Sequence, residues 1–218
     1  MSTLRHRLRS TPSVTGTAPS WDPSRAPKHP RELFVEWLIQ ALDAGVTEPL
    51  AVTLSTVDEI GAPDARVVML KDVTEDFGLE LATGAESAKS RHLLADPRCA
   101  LTVYWSSVAR AVRIRGTAIQ GSREDAARDF LARHPDARAV ALTGRQSLPM
   151  TDPAHHVELI TAERARIEAD PTLVSPTWTL WRVFPTTVEF WQGAPTRDHL
   201  RLRYLRGADA WHSERLWP

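Results

Sequence analysis

Apolar and polar positions change their period several times along this chain, and each change marks an element. In RELFVEWLIQALDAG, Leu33, Phe34, Trp37, Leu38 and Ala41 recur at helical spacing, which predicts an amphipathic helix from Pro30 that Gly45 stops. The period then drops to two. Residues 51–57 and 65–73 read as strands joined by a turn containing Gly61 and Pro63, and LELAT, residues 79–83, reads as a third. Ser87 stands where its hydroxyl can cap a helix through AKSRHLLAD, which ends at Pro97. CALTVYWSS and ARAVRIRGTAIQG follow as longer strands. In the second, Val112 and Ile114 alternate with Arg113 and Arg115, the pattern of a strand buried on one face only. Residues 123–134 predict a helix and residues 137–143 a helical turn. TDPAHHVEL begins a capped helix with Pro153 in its first turn, and strands at 179–192, 199–206 and 210–216 close the chain.

Most of these strands neighbour one another in sequence, with helices between hairpins rather than after every strand. That order excludes a doubly wound parallel sheet. It predicts a mainly β fold with peripheral helices (α+β), built as a small antiparallel barrel. Residues 31–218 are expected to form a single domain. Residues 1–30 mix Ser, Thr, Pro and Arg without an apolar period, the composition of a flexible arm that closes over a site. The basic side chains ahead of Asp22 have no acidic neighbour, so a transit peptide stays open as a second reading.

Composition narrows the function classes. Lysine plus arginine and aspartate plus glutamate both number 27, so no global field favours nucleic acid or an anionic membrane. Cys99 is the single cysteine of the 218 residues, which excludes an intrachain disulfide and a multi-cysteine metal site and suits a reducing compartment. No apolar run approaches the roughly 18 residues of a membrane span, and the N-terminus lacks a secretory apolar segment. A cytoplasmic location is the expectation.

The common catalytic signatures are absent: no Gly-x-Ser-x-Gly, Walker loop, Gly-x-Gly-x-x-Gly after a strand, or His-Glu-x-x-His. His155 and His156 are adjacent, so on a helix they point roughly 100° apart and do not chelate one metal; no metal is expected. Cys99, inside CALTVYW, reads as a core residue. What remains is a set of cations at strand ends and helix starts: Arg66 and Lys71 flanking VVML, Lys89, the loop Arg145-Gln146-Ser147, and Arg197 with Arg201. Cations presented this way suit a small phosphorylated ligand, because charge-assisted bonds to phosphate are strong and directional.

The series RVVMLK (66–71), LATGAESAK (81–89), DPR (96–98), GRQS (144–147) and VEFWQG followed by Arg197, His199 and Arg201 resembles the FMN-dependent pyridoxamine 5'-phosphate oxidases. The likeness runs from about residue 30 to the terminal LWP. It implies an antiparallel FMN-binding split β-barrel and a homodimer with flavin at the interface. It also implies roles. Arg66, Val67, Val68, Met69, Leu70 and Lys71 form the strand along the flavin, with Arg66 and Lys89 on its phosphate. Thr83, Gln146 and Ser147 add hydrogen bonds, Trp191 packs at the cofactor, and Arg201 sits by the isoalloxazine. Arg197 and His199 hold the substrate over the flavin, with His199 a candidate proton acceptor, and Lys71 and Arg133 take the substrate's phosphate. The implied reaction moves a hydride from the substrate's C4' to FMN, which molecular oxygen reoxidises to give hydrogen peroxide.

The sequence also departs from the family. A paired Arg-Lys at the helix start reads Ala88-Lys89, a flavin-contacting glutamine is Ala111, and the acidic residue of R-x-H-D-R is Leu200. The tyrosine and serine that bind substrate phosphate fall on Asp129 and Ala137. These changes touch the substrate more than the flavin. They keep two alternatives open: a related oxidase acting on another ring substrate, of the phenazine-biosynthesis type, and a non-catalytic split-barrel module binding flavin or haem.

Overall fold

Local rules account for most element boundaries in the computed structural model, which describes residues 3–218. Helix α1 spans Leu4–Ser10, α2 Pro30–Asp43, α3 Ala88–Ala95, α4 Arg123–Leu131, α5 Pro135–Leu142 and α6 Pro153–Ala169. The strands are β1 Ala51–Val57, β2 Pro63–Val73, β3 Leu79–Gly84, β4 Arg98–Trp105, β5 Arg110–Gln120, β6 Trp178–Gln192, β7 Leu200–Arg206 and β8 Trp211–Arg215. Helix α2 places Pro30 at its first position, where no N–H is needed, and ends where Gly45 turns to φ +64°. There Val46 N–H reaches the Ala41 carbonyl and Gly45 N–H the Leu42 carbonyl, which satisfies the last orphan acceptors. Ser87, Ser122 and Asp152 cap α3, α4 and α6 through their side-chain oxygens. Helix α1 buries none of its residues, so no apolar period marks it in the sequence.

The strands hydrogen-bond in the order β3-β2-β1-β4-β5-β6-β7-β8, and β3 also pairs with β6. Six antiparallel strands therefore close as a barrel, and β7 and β8 extend the sheet past β6. The closing pairs run from Leu79↔Val183 to Gly84↔Trp178.

The chain divides into two compact units. The first comprises residues up to Val52, Thr102–Ile114 and Thr186–Pro218. Its core sets Trp37 of α2 edge-on to Phe190 at 5.1 Å, Phe190 edge-on to Tyr204 at 5.8 Å, and Trp21 edge-on to Trp37 at 4.9 Å. Arg110 is buried over the Trp37 ring at 4.2 Å and donates to Gln192 at 2.8 Å; burial lowers its pKa to about 10. Tyr204 donates its hydroxyl to the Pro27 carbonyl at 2.7 Å, tying residues before α2 to β7.

The second unit comprises Thr53–Leu101 and Arg115–Pro185. Its core gathers Leu54, Leu70, Leu79, Leu81, Leu93, Leu101, Trp181 and Val183, each at most 4% exposed. A satellite cluster of Ala126, Phe130, Trp178 and Leu180 seats α4 against β6. Cys99 is buried, and burial raises its thiol to about 12, which keeps it a protonated core residue. Among the described residues no helix is long and apolar enough to cross a membrane.

Candidate functional site

Within the second unit, alternation along β2 divides the six residues Arg66 to Lys71 between two faces. Arg66, Val68 and Leu70 are the more buried set, while Val67 and Met69 are 66% and 41% exposed. A strand cannot aim all six side chains at one ligand. Arg66 is held from three directions: Nη1 donates to the Leu54 carbonyl at 3.2 Å and to Thr56 Oγ1 at 2.6 Å, and Nη2 pairs with Asp64. Thr56 Oγ1 also meets His92 Nδ1 at 2.9 Å.

Lys89 enters from the first turn of α3 and donates from Nζ to Thr83 Oγ1 at 3.2 Å. Thr83 donates its hydroxyl to Gln146 Oε1 at 2.9 Å, and the same oxygen accepts the Gly84 N–H at 3.1 Å. Residues 63 positions apart are thus tied into one polar corner. Ser87, buried, caps α3 and approaches Thr83 Oγ1 at 3.3 Å. Burial lowers the pKa of Lys89, the Arg66 charge lowers it further, and Asp64 only partly offsets them. The corner therefore holds two cations whose mutual repulsion a bound anion would relieve, with an amide and a hydroxyl beside them. These residues fit a phosphate. Ser147 follows Gln146 in the same loop, exposed and with φ +73°.

Further along the same unit, Lys71 Nζ lies 3.5 Å from Asp129 Oδ1. Trp178 Nε1 donates to Asp129 Oδ2 at 2.8 Å, and the Trp178 ring carries the Arg133 guanidinium 4.2 Å above its centroid. Arg133 Nη2 donates to the Ala137 carbonyl at 3.2 Å, and its Nε is buried without a hydrogen-bond partner. Lys71 and Arg133 are therefore brought together, but through Asp129 and Trp178. A cavity of about 480 Å³ opens beside Arg133, Trp178, Gln146 and Leu148.

In the first unit, β6 and β7 form the hairpin that the sequence suggests, with Trp191 opposite Arg201. The Trp191 ring stands 4.9 Å from the His199 ring and 6.4 Å from Tyr104. Arg201 donates through Nε and Nη2 to Glu189 Oε1 at 3.0 and 2.6 Å, and Arg113 Nη2 donates to Glu189 Oε2 at 2.5 Å. Arg201 Nη1 reaches the Trp217 carbonyl at 3.0 Å, which fastens the chain end to the hairpin. Arg197 is exposed in the connecting turn with φ +68°. His199 Nδ1 accepts the Ala194 N–H at 3.1 Å.

Sequence reasoning missed Thr56, His92, Asp64, Trp178, Glu189, Arg113 and Ala194. Glu189 alone left a local signal, a carboxylate inside the apolar run VEFW, which demands a buried cationic partner.

A closed antiparallel barrel extended by a hairpin rich in cations defines a split-barrel protein. Residues 38–168 match the family model described as pyridoxamine 5'-phosphate oxidase, and residues 178–218 match the pyridoxine 5'-phosphate oxidase C-terminal dimerisation region. The chain is 43% identical to a pyridoxine/pyridoxamine 5'-phosphate oxidase of Bordetella petrii, over 87% of this chain and 89% of that protein. It is 40% identical to one of Thermosynechococcus vestitus, over 89% and 92%. Among solved structures, PhzG from Burkholderia lata 383 in complex with tetrahydrophenazine-1-carboxylic acid superposes with a TM-score of 0.84 at 26% identity, covering 93% of this chain and 100% of that one. The chain belongs to the pyridoxamine 5'-phosphate oxidase family.

Proposed function

We propose that this protein is an FMN-dependent oxidase that converts pyridoxamine or pyridoxine 5'-phosphate to pyridoxal 5'-phosphate. The supporting observation is the corner where Lys89 donates to Thr83 beside Gln146, a half-buried cation whose pKa burial and the Arg66 charge both lower, in a chain of this family. Arg66 and Lys89 hold the FMN phosphate, with hydrogen bonds from Thr83, Gln146 and Ser147. The backbone of Val67, Val68, Met69 and Leu70 continues along the cofactor, Trp191 packs against it, and Arg201 lies by its ring. Two copies of the chain enclose the flavin at their interface. Residues 31–218 supply the barrel, and the segment before them packs Trp21 against Trp37.

When bound, the flavin supplies a two-electron acceptor that oxygen reoxidises. The protein's share is positioning. Arg197 and His199 orient the substrate amine or hydroxyl, and Lys71 and Arg133 stand at its far end. The substrate loses a hydride from C4' and a proton from the amine or hydroxyl. Oxygen takes both electrons and two protons to become hydrogen peroxide, and the imine formed from pyridoxamine 5'-phosphate takes up water to release ammonia. The Glu189 carboxylate keeps Arg201 extended along the hairpin, so the cation's place is fixed before any ligand arrives.

A second reading, an oxidase of a different ring substrate as in phenazine formation, draws support from Asp129 seated on Lys71 and from the likeness to PhzG. FMN-loaded protein given pyridoxine 5'-phosphate under air separates the two. The first reading requires aldehyde and hydrogen peroxide in equal amounts; turnover at background rejects it.

A further inference from the structure

Lys71, Asp129, Trp178 and Arg133 form one connected group drawn from β2, α4, β6 and the turn after α4. Asp129 is sheltered, with its side chain 14% exposed, Lys71 keeps 30% of its side chain exposed on the strand, and their charged atoms are 3.5 Å apart. Trp178 Nε1 fixes the other carboxylate oxygen at 2.8 Å, so the carboxylate cannot swing away from Lys71 without leaving an indole N–H unpaired. Arg133 meets the face of the same indole, and the Asp129 charge reaches it without a direct bond. It is stacked on Trp178, has one bond to the Ala137 carbonyl, and keeps a buried, unpartnered Nε. A carboxylate seated on an ammonium cancels the attraction that cation offers an incoming anion, and it repels a dianion more than a monoanion or a neutral group.

We propose that Asp129 is a specificity-determining residue. It withdraws Lys71 from phosphate recognition and leaves Arg133 as the cation that meets the far end of the substrate. The site then discriminates weakly between a ring bearing a phosphate dianion and the same ring bearing a hydroxyl or a single carboxylate. This rests on the reading of Lys71 and Arg133 as the pair facing the substrate's far end.

The test is calorimetric binding of 4-deoxypyridoxine 5'-phosphate and of 4-deoxypyridoxine to the FMN-loaded protein; both lack the oxidisable group at C4'. Asp129→Asn keeps an acceptor for Trp178 Nε1 and removes the charge. It should raise the preference for the phosphorylated compound by about tenfold. Lys71→Met should reduce that preference at least about fivefold more in the Asp129→Asn background than in the native protein, because only there is Lys71 available. An unchanged preference in Asp129→Asn, an equal effect of Lys71→Met in both backgrounds, or no binding by any variant overturns the proposal. A gain in Asp129→Asn alongside failed oxidation by the native enzyme would sink the proposed activity and leave the role of Asp129 standing.

Discussion

The backbone N–H of Ala194 donates to Nδ1 of His199 at 3.1 Å. Since an N–H can only donate, Nδ1 must present its lone pair, and the neutral imidazole carries its proton on Nε2. The Ala194 carbonyl in turn accepts the Arg197 N–H at 3.0 Å, so the two backbone groups of one residue set both arms of the turn. Arg197 is held there at φ +68°, a left-handed conformation that costs a non-glycine residue on the order of 1 kcal/mol. On the proposed function His199 therefore meets the substrate as a hydrogen-bond donor from Nε2, because its Nδ1 lone pair is engaged.

If His199 works as a donor, His199→Gln, whose amide also donates, keeps kcat/KM within about threefold, while His199→Ala loses about tenfold. General-base catalysis contributes roughly 100-fold or more, so a base at this position would leave Gln as poor as Ala. Nitrogen-15 NMR of the histidine should show Nε2 as the protonated nitrogen. A proton on Nδ1, or equal losses in Gln and Ala, contradicts the assignment.

Glu189 is 7% exposed and anchors Arg201 and Arg113. Burial pushes its carboxyl up, but the Arg201 bonds and the Arg113 charge outweigh burial and hold it below the ordinary 4.5. A carboxylate with a depressed pKa stabilises the fold above the unfolded value and loses that contribution as pH falls through the folded value. Glu189→Gln should thus cost about 2 kcal/mol near neutrality. In denaturant unfolding, the gap between variant and native protein should narrow as pH drops below 4.5. A gap independent of pH would show that the carboxylate charge is not what matters.

Lys89 is shifted in the other sense. Burial and Arg66 lower its pKa below 10.5, so the unfolded chain binds its proton more readily and the charge opposes folding of the ligand-free protein. That strain is relieved as pH rises toward 10.5, or when an anion binds. Lys89→Met should leave the ligand-free protein at least as stable at neutral pH, yet weaken FMN binding by at least about tenfold in a flavin fluorescence titration. Unaltered FMN affinity would remove Lys89 from the phosphate site.

Gly116 on β5 has no room for a side chain. A Cβ there would stand 2.2 Å from the Phe184 carbonyl oxygen and 2.8 Å from its carbon, both backbone atoms of the neighbouring strand. Gly116→Ala must push β5 and β6 apart and should cost about 2 kcal/mol or more, read as a lower denaturation midpoint. A neutral effect would mean the strands are less tightly paired there.

Elements whose cause is local were legible in the sequence: α2 from its apolar stripe and Gly45, α3 from Ser87, α6 from Pro153, and β5 from its alternation. Helix α1 was not, because it buries nothing and so carries no period. Barrel closure by β3 and β6 was not either; Leu81 meets Trp181 across a separation that no local pattern records. The site divides in the same way. Its cations could be picked out by their places at strand ends and through the family resemblance. Their partners could not: Thr56 for Arg66, Asp129 for Lys71 and Glu189 for Arg201 are set by which strands and helices fold together. Conformation hid more, since neither Ser147 nor Arg197 announces a positive φ by its residue type.

On the proposed function this chain passes electrons from a pyridoxine-type substrate to a flavin it holds itself. Anaerobic mixing of the FMN-loaded protein with pyridoxine 5'-phosphate, followed in the visible flavin absorbance, tests that step apart from oxygen. The yellow band should bleach as pyridoxal 5'-phosphate forms and return when air is admitted. A band that stays intact at saturating substrate would contradict it.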